Sequence, residues 1–200
     1  MGLIRTVAPA AEPFTVAEAK EHLRVDGDAE NTLIEYQLKA AREYVESQTG
    51  RQLMLATYQL TLDGFPALNR NGMIFDAPIR LPKTPLSSVT SIAYIDSAGA
   101  SQTLAAGKYI VDTALEPGQI DPAYGEVWPA TQDRAKTVTV TYVAGYSAAG
   151  NVPPGLRAAT MLMLGNLFER RESTISGTII AKVPLAVESL IWPFKVAEFA

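Results

Sequence analysis

Between Phe14 and Leu53, in FTVAEAKEHLRVDGDAENTLIEYQLKAAREYVESQTGRQL, apolar residues recur at three- and four-residue steps, the spacing of one face of a helix. Thr15 can accept a backbone N–H bond while Glu18 reaches back to the Thr15 amide, so a reciprocal capping box starts the first helix at Thr15. The turn Val25-Asp26-Gly27-Asp28 breaks it. Asp28 or Asn31 then caps a second helix whose apolar residues are Ile34, Leu38, Ala41 and Val45. Gly50 stops it, because the left-handed conformation that closes a helix carries no Cβ penalty at glycine. The pair has one apolar stripe and must bury it against another element.

At Leu55 the period changes to two. Tyr58, Leu60 and Leu62 alternate with Gln59, Thr61 and Asp63, and further strands are predicted at Met73–Phe75, Ile79–Leu81, Val89–Ile95, Gln102–Leu104, Tyr109–Val111 and Thr137–Val143. Turn residues at Asp63-Gly64, Asn71-Gly72, Asp96–Gly99 and Pro117-Gly118 separate them, which implies antiparallel hairpins. Val138, Val140 and Tyr142 oppose Thr137, Thr139 and Thr141, giving one buried and one wet face. Pro82, Pro85, Pro122 and Pro129 donate no ladder bond and are expected at edges or in connections.

Gly145 to Gly150 reads as a loop, and Pro153-Pro154 presets the first turn of a third helix, Leu156–Arg171. That helix is apolar around most of its circumference, as one inside a bundle would be, and it offers Leu156, Ala159, Met163, Leu167 and Arg170, with Leu164 and Phe168 beside them, as the face the first pair lacks. Past the small-residue loop STISG, Thr178–Val183 precedes a short helix or turn over Pro184–Trp192. Leu190, Ile191, Trp192 and Phe194 then load the end of the chain with apolar surface, either to fold back or to bind a partner. Residues 1–13, rich in Ala and Pro, read as an extended arm that frays more readily than it docks.

The expected fold is therefore α+β: an antiparallel helical bundle of three main helices and a short C-terminal one, with an inserted antiparallel β-rich region. The expected segments are an arm at 1–13, a helical frame at 14–54 and 151–175, the β-rich part at 55–150, and a docking tail at 176–200.

Composition narrows the function. The chain has 200 residues, 48% of them hydrophobic, enough to build a packed core. It lacks a long uninterrupted apolar run or a signal-peptide core, so a soluble cytoplasmic chain without a membrane partner is expected. With no cysteine and His22 as the single histidine, thiolate chemistry and histidine-based zinc or triad catalysis have almost nothing to draw on. A net charge of −4 without a basic cluster disfavours a protein that grips nucleic acid.

The remaining chemical candidates read as structural. His22 has no visible partner for acid–base work. Asp26, Asp28 and Glu30 lack the glycine and closing glutamate of a calcium loop, and serve better as turn and cap residues. Ser147 in GYSAAG lacks both a base and the strand–helix context of a nucleophile elbow. Trp128, Tyr109 and Tyr124 are candidates for a ligand groove, with core or rim aromatics as the simpler reading. No catalytic, cofactor or metal residue is assigned.

The order of segments carries more. FTVAEAKEHLRVD, LIEYQLKAAREYVESQTGRQL, IRLPKTPLSSVTSIAYID, YIVD, VWPATQDRAKTVTVTYVAGY, VPPGLRAATMLMLGNLFERRE and VPLAVESLIWPFK follow one another across nearly the whole chain. In this order and spacing the sequence resembles the gp6-like and phiE125 gp8-like head–tail connector (adaptor) proteins of long-tailed bacteriophages and gene transfer agents.

The resemblance implies a structural, non-enzymatic subunit of the virion head–tail junction, assembled in the host bacterial cytoplasm. It implies a homo-oligomeric ring of about twelve copies, closed by head-to-tail contacts. The ring would bind the portal protein, meet the next connector, stopper or tail protein, and pass DNA as cargo. On that reading, Leu190, Ile191, Trp192, Pro193, Phe194 and Lys195 are the expected portal-docking residues, and Glu169, Arg170, Arg171 and Glu172 the expected ring-interface residues. A carbohydrate- or ligand-binding β module, with Trp128 as its platform, and a DNA-packaging accessory are the competing classes.

Overall fold

The computed structural model describes residues 1–70, 73–170 and 185–196, and of 68–70 and 73–75 the backbone alone. The fold mixes helices with antiparallel sheet and is α+β. In chain order the elements are β1 (Gly2–Val7), α1 (Val16–Leu23), α2 (Asn31–Thr49), β2 (Ala56–Leu62), β3 (Ala67–Arg70), β4 (Met73–Asp76) and β5 (Ile79–Arg80). There follow β6 (Leu86–Ile95), β7 (Ser101–Thr103), β8 (Tyr109–Asp112), β9 (Gln119–Pro122), β10 (Val138–Ala144), α3 (Pro154–Glu169) and α4 (Leu185–Ile191).

The chain divides into two compact units. One comprises Met1–Ala10 and Leu55–Gly145, the other Ala11–Met54 and Tyr146–Ala200.

The first unit is built on a five-stranded antiparallel sheet in the order β1-β2-β10-β6-β7. Its period-two pattern is visible in the burial: Tyr58 and Leu60 on β2, and Val138, Val140 and Tyr142 on β10, all point into one core. The register sets Leu60 opposite Val140 and Tyr58 opposite Tyr142, and the two tyrosine rings stack with centroids 5.8 Å apart. A three-stranded sheet, β5-β9-β8, adds Ile79 and Ile120 to this core, and β3 pairs with β4 as a separate hairpin.

Three strands escape the pattern. The arm is not frayed: Gly2–Val7 forms β1 and lengthens the sheet along β2, because Leu3 packs on the core while Gly2 and Thr6 share hydrogen bonds with β2. β3 and β9 carry too few apolar residues to alternate; in Gln119-Ile120-Asp121-Pro122 only Ile120 is fully buried. Pro122 nevertheless closes β9, the middle strand of its sheet, whereas Pro82 and Pro85 lie in the connection between β5 and β6 as expected. The Asp96–Gly99 turn forms as read, with Asp96 Oδ1 accepting from the amides of Ala98 and Ala100 and Gly99 at φ +87°.

In the second unit the capping box is complete. Thr15 accepts from the Glu18 amide, and Glu18 Oε2 accepts from the Thr15 amide at 2.7 Å. Those bonds, first of all the one from the Thr15 amide, hold the Glu18 carboxyl below its ordinary value. Arg24, left-handed at φ 56°, ends α1, and Gly50, at φ 72°, ends α2.

The expected cap on α2 is absent in its side-chain form. Glu30 occupies the cap position and makes no side-chain capping bond to the helix, while Asp28 accepts from Lys20 Nζ (2.8 Å) and Asn31 Nδ2 (3.1 Å), tying the turn to α1 instead. The α2 stripe, Ile34, Leu38, Ala41 and Val45, is fully buried, and α3 supplies its cover. The buried positions of α3 are Leu156, Ala159, Thr160 and Leu164, so its inner face is rotated from the predicted one, with Met163 and Leu167 only half-buried.

Candidate interaction surfaces

α4 runs into a single 3₁₀ turn, Trp192–Phe194. Its inner side is fixed by Val187 and Ile191, both at 0% exposure in a core shared with Val45, Leu53 and Leu156. Phe194 lies over Gly155, where an added Cβ would come within 2.8 Å of its ring. The Phe194 carbonyl accepts from Arg51 Nε at 2.7 Å, and the Val196 amide donates to the Thr49 carbonyl at 2.9 Å. The far side is open. Trp192 is 72% exposed, Leu185 is exposed at the start of α4, and Lys195 Nζ stands 5.2 Å from the Trp192 ring centre.

The six expected docking residues therefore split. Ile191 and, in part, Leu190 and Phe194 fold back on their own unit, while Trp192, Pro193 and Lys195 face outward. Of the expected ring-interface residues, Glu169 and Arg170 are exposed at the end of α3, where the Arg170 amide donates to the Asn166 carbonyl. Arg171 and Glu172 lie outside the described residues. So does the segment Thr178–Val183.

An arrangement that sequence reasoning passed over anchors the second unit. Arg42, 3% exposed, donates from Nε to Glu12 (2.6 Å) and from Nη1 to Glu46 (2.7 Å). Glu46 in turn accepts from Gln52 Nε2 and the Leu53 amide. Burial opposes the Arg42 charge, but Glu12 and Glu46 outweigh it and raise its affinity for the proton. The visible signal was Arg42 and Glu46 four residues apart on an otherwise apolar face.

Among the described residues no three His, Asp or Glu side chains come together to hold a metal ion. His22 is exposed, and Ser147 accepts a hydrogen bond from Asn151. Trp128 cannot serve as a sugar platform. It is 7% exposed, Phe65 stacks on it at 4.9 Å, and its Nε1 donates to the Ala77 carbonyl. Tyr109 packs against the same core, whereas Tyr124 is fully exposed. No described helix is long and apolar enough to cross a membrane.

The comparisons with known proteins agree with the order of segments. Residues 14–103 match the phage gp6-like head-tail connector protein family. That span holds the capping box, the Arg42–Glu46 pair and the strands from β2 to β7. The fold is similar over the whole chain to chains from gene transfer agent (GTA) particles. A chain in the virion of the native particle superposes with a TM-score of 0.79 at 24% identity, covering 100% of this chain and 98% of that one. A chain in the neck of the empty particle, computed with C6 symmetry, gives 0.77 at 21% identity, and one in the neck of the native particle, computed with C12 symmetry, gives 0.75 at 23%, both with the same coverage. No curated protein matches. The connector resemblance read from the sequence is borne out.

Proposed function

We propose that this chain is a structural head–tail connector subunit that forms a ring under the portal, extends the DNA channel and joins capsid to tail. The carrying observation is that the connector family match at 14–103 coincides with a fold shared end to end with particle-neck chains. Twelve copies per ring is the stoichiometry we adopt, after the C12 symmetry of one such neck. In this reading the helical unit is an antiparallel bundle that forms the rigid wall of the subunit. The C-terminal segment meets the portal through Trp192 and Pro193, with Lys195 at the edge, because a large aromatic held on a fixed turn is the side chain that dominates interface energies. The β unit faces the next connector or tail protein. A net charge of −4 suits a conduit that passes DNA without holding it. Assembly takes place in the host cytoplasm, without enzyme activity, cofactor or membrane.

Mass photometry and negative-stain imaging of the chain with purified portal rings test this. The expected result is a ring of about twelve subunits seated on the portal. A strict monomer indifferent to portal overturns the proposal. For the docking tail, Trp192→Ala and a chain truncated after Ala181 are expected to lose portal binding; normal binding by the truncated chain would remove the tail from the portal contact.

A further inference from the structure

α3 is apolar around most of its circumference, and the described residues of its own unit cover three of its sides. α2 reaches it where Gln37 Nε2 donates to the Leu167 carbonyl at 3.1 Å. α1 lies beside Gly165, whose Cβ direction points at His22 Nε2, 3.8 Å away, and Glu18 of its cap sits 3.7 Å from Arg157. The C-terminal segment covers Gly155 through Phe194. What remains outside is the stripe Ala158–Leu162, four residues apart, with Leu162 39% exposed and no charged residue from Ala158 to Phe168.

A second open stripe lies on α2. Tyr36 is 69% exposed with the exposed, small Ala40 one turn further on, and Lys39, paired with Glu35 at 2.9 Å, stands 6.0 Å from the Tyr36 ring centre. Among the described residues of this unit, the large exposed apolar side chains are Tyr36, Leu162, Leu185 and Trp192, and the last two belong to the C-terminal face already described. Each of the two helix stripes thus offers one large knob beside one alanine.

We propose that copies of this chain join head to tail through these two faces, Ala158 and Leu162 on α3 of one copy packing against Tyr36 and Ala40 on α2 of the next. The inference rests on the connector reading, which supplies the ring, and adds the surfaces that close it. A second copy is the occupant because the two patches differ and complement each other in size: Leu162 meets Ala40, and Tyr36 meets Ala158, at the approach that helix packing requires. Two different faces on one subunit generate a ring, whereas one face matched to itself ends in a dimer. The sequence supports the same conclusion, since it writes α3 as an interior helix while the described residues of its own unit leave Ala158 and Leu162 exposed.

The test mixes two variants, Leu162→Glu and Tyr36→Glu, each at an exposed position. Alone, each is expected to keep the wild-type circular dichroism spectrum and to lose ring formation, with self-association weakened roughly tenfold or more. Mixed in equal amounts they are expected to give a discrete one-to-one dimer, because each retains the face that the other has lost. Wild-type assembly by both variants, or no dimer on mixing, overturns the proposal. As a second readout, Ala40→Cys/Leu162→Cys in this cysteine-free chain is expected to give a ladder of oligomers with a short bis-maleimide. Rings that form without that ladder overturn these faces and leave the connector reading standing. Failure of the wild type to form rings, even on portal, overturns both.

Discussion

Arg42 shows how one buried charge fixes a helix in place. Its guanidinium is held between Glu12 and Glu46, and Glu46 also receives the Leu53 amide and Gln52. Removing Glu46 takes away one of the two carboxylates that hold Arg42 and the acceptor of the Leu53 amide, so Glu46→Ala is expected to cost about 3–5 kcal/mol in urea unfolding, and Glu46→Gln less. Glu18 works at the surface and by a different route. Its carboxyl is held below the ordinary value by the Thr15 amide, so the folded state favours the ionised form. That contribution is complete above the carboxylate's unfolded value and disappears as the pH falls through the lowered, folded one. The stability difference between wild type and Glu18→Gln, in favour of wild type at neutral pH, is therefore expected to shrink on acidification, as a series of denaturant melts would record.

At the scale of elements, α4 and its 3₁₀ turn depend on one glycine. Gly155 leaves room for the Phe194 ring and lies near the Leu190 carbonyl, 3.6 Å from where a Cβ would stand. Gly155→Leu overpacks that contact and is expected to cost about 1–3 kcal/mol. Because the Val196 amide closes onto the Thr49 carbonyl just beyond it, amide exchange at Val196 should accelerate while the amides of β2 and β10 stay protected. Elements with strong periods were legible. The capping box, the Gly50 stop, the alternation of β10 and the proline start of α3 each rest on local chemistry that the chain carries within a few residues. β1, β3 and β9 were not, because a short strand at an edge or with one buried residue gains its order from the partner it pairs with, not from its own pattern.

For the whole molecule, charge sets the expectation toward DNA. With 17 basic against 21 acidic residues, binding to duplex DNA should be weak at near-physiological salt and show no steep salt dependence in a fluorescence anisotropy titration. A slope of many released counterions would instead mark a DNA-gripping accessory. The candidate surfaces were readable only in outline. Leu190 to Lys195 was recognisable as apolar load, but the split between Ile191, which the core takes, and Trp192, which it leaves outside, follows from how α4 sits on α3. Trp128 was a possible platform in the sequence; it became a core residue once Phe65 covered it.

By itself the sequence determined the helices and the strongly periodic strands, their α+β class and, through the order of its segments, the connector family resemblance, because capping, period and turn chemistry act over distances of a few residues. The tertiary structure alone decided which face of α3 is inside, that Arg42 is buried between two glutamates, and which aromatics remain exposed. Those outcomes depend on contacts between positions far apart in the chain, where packing space and hydrogen-bond partners are allotted by the fold.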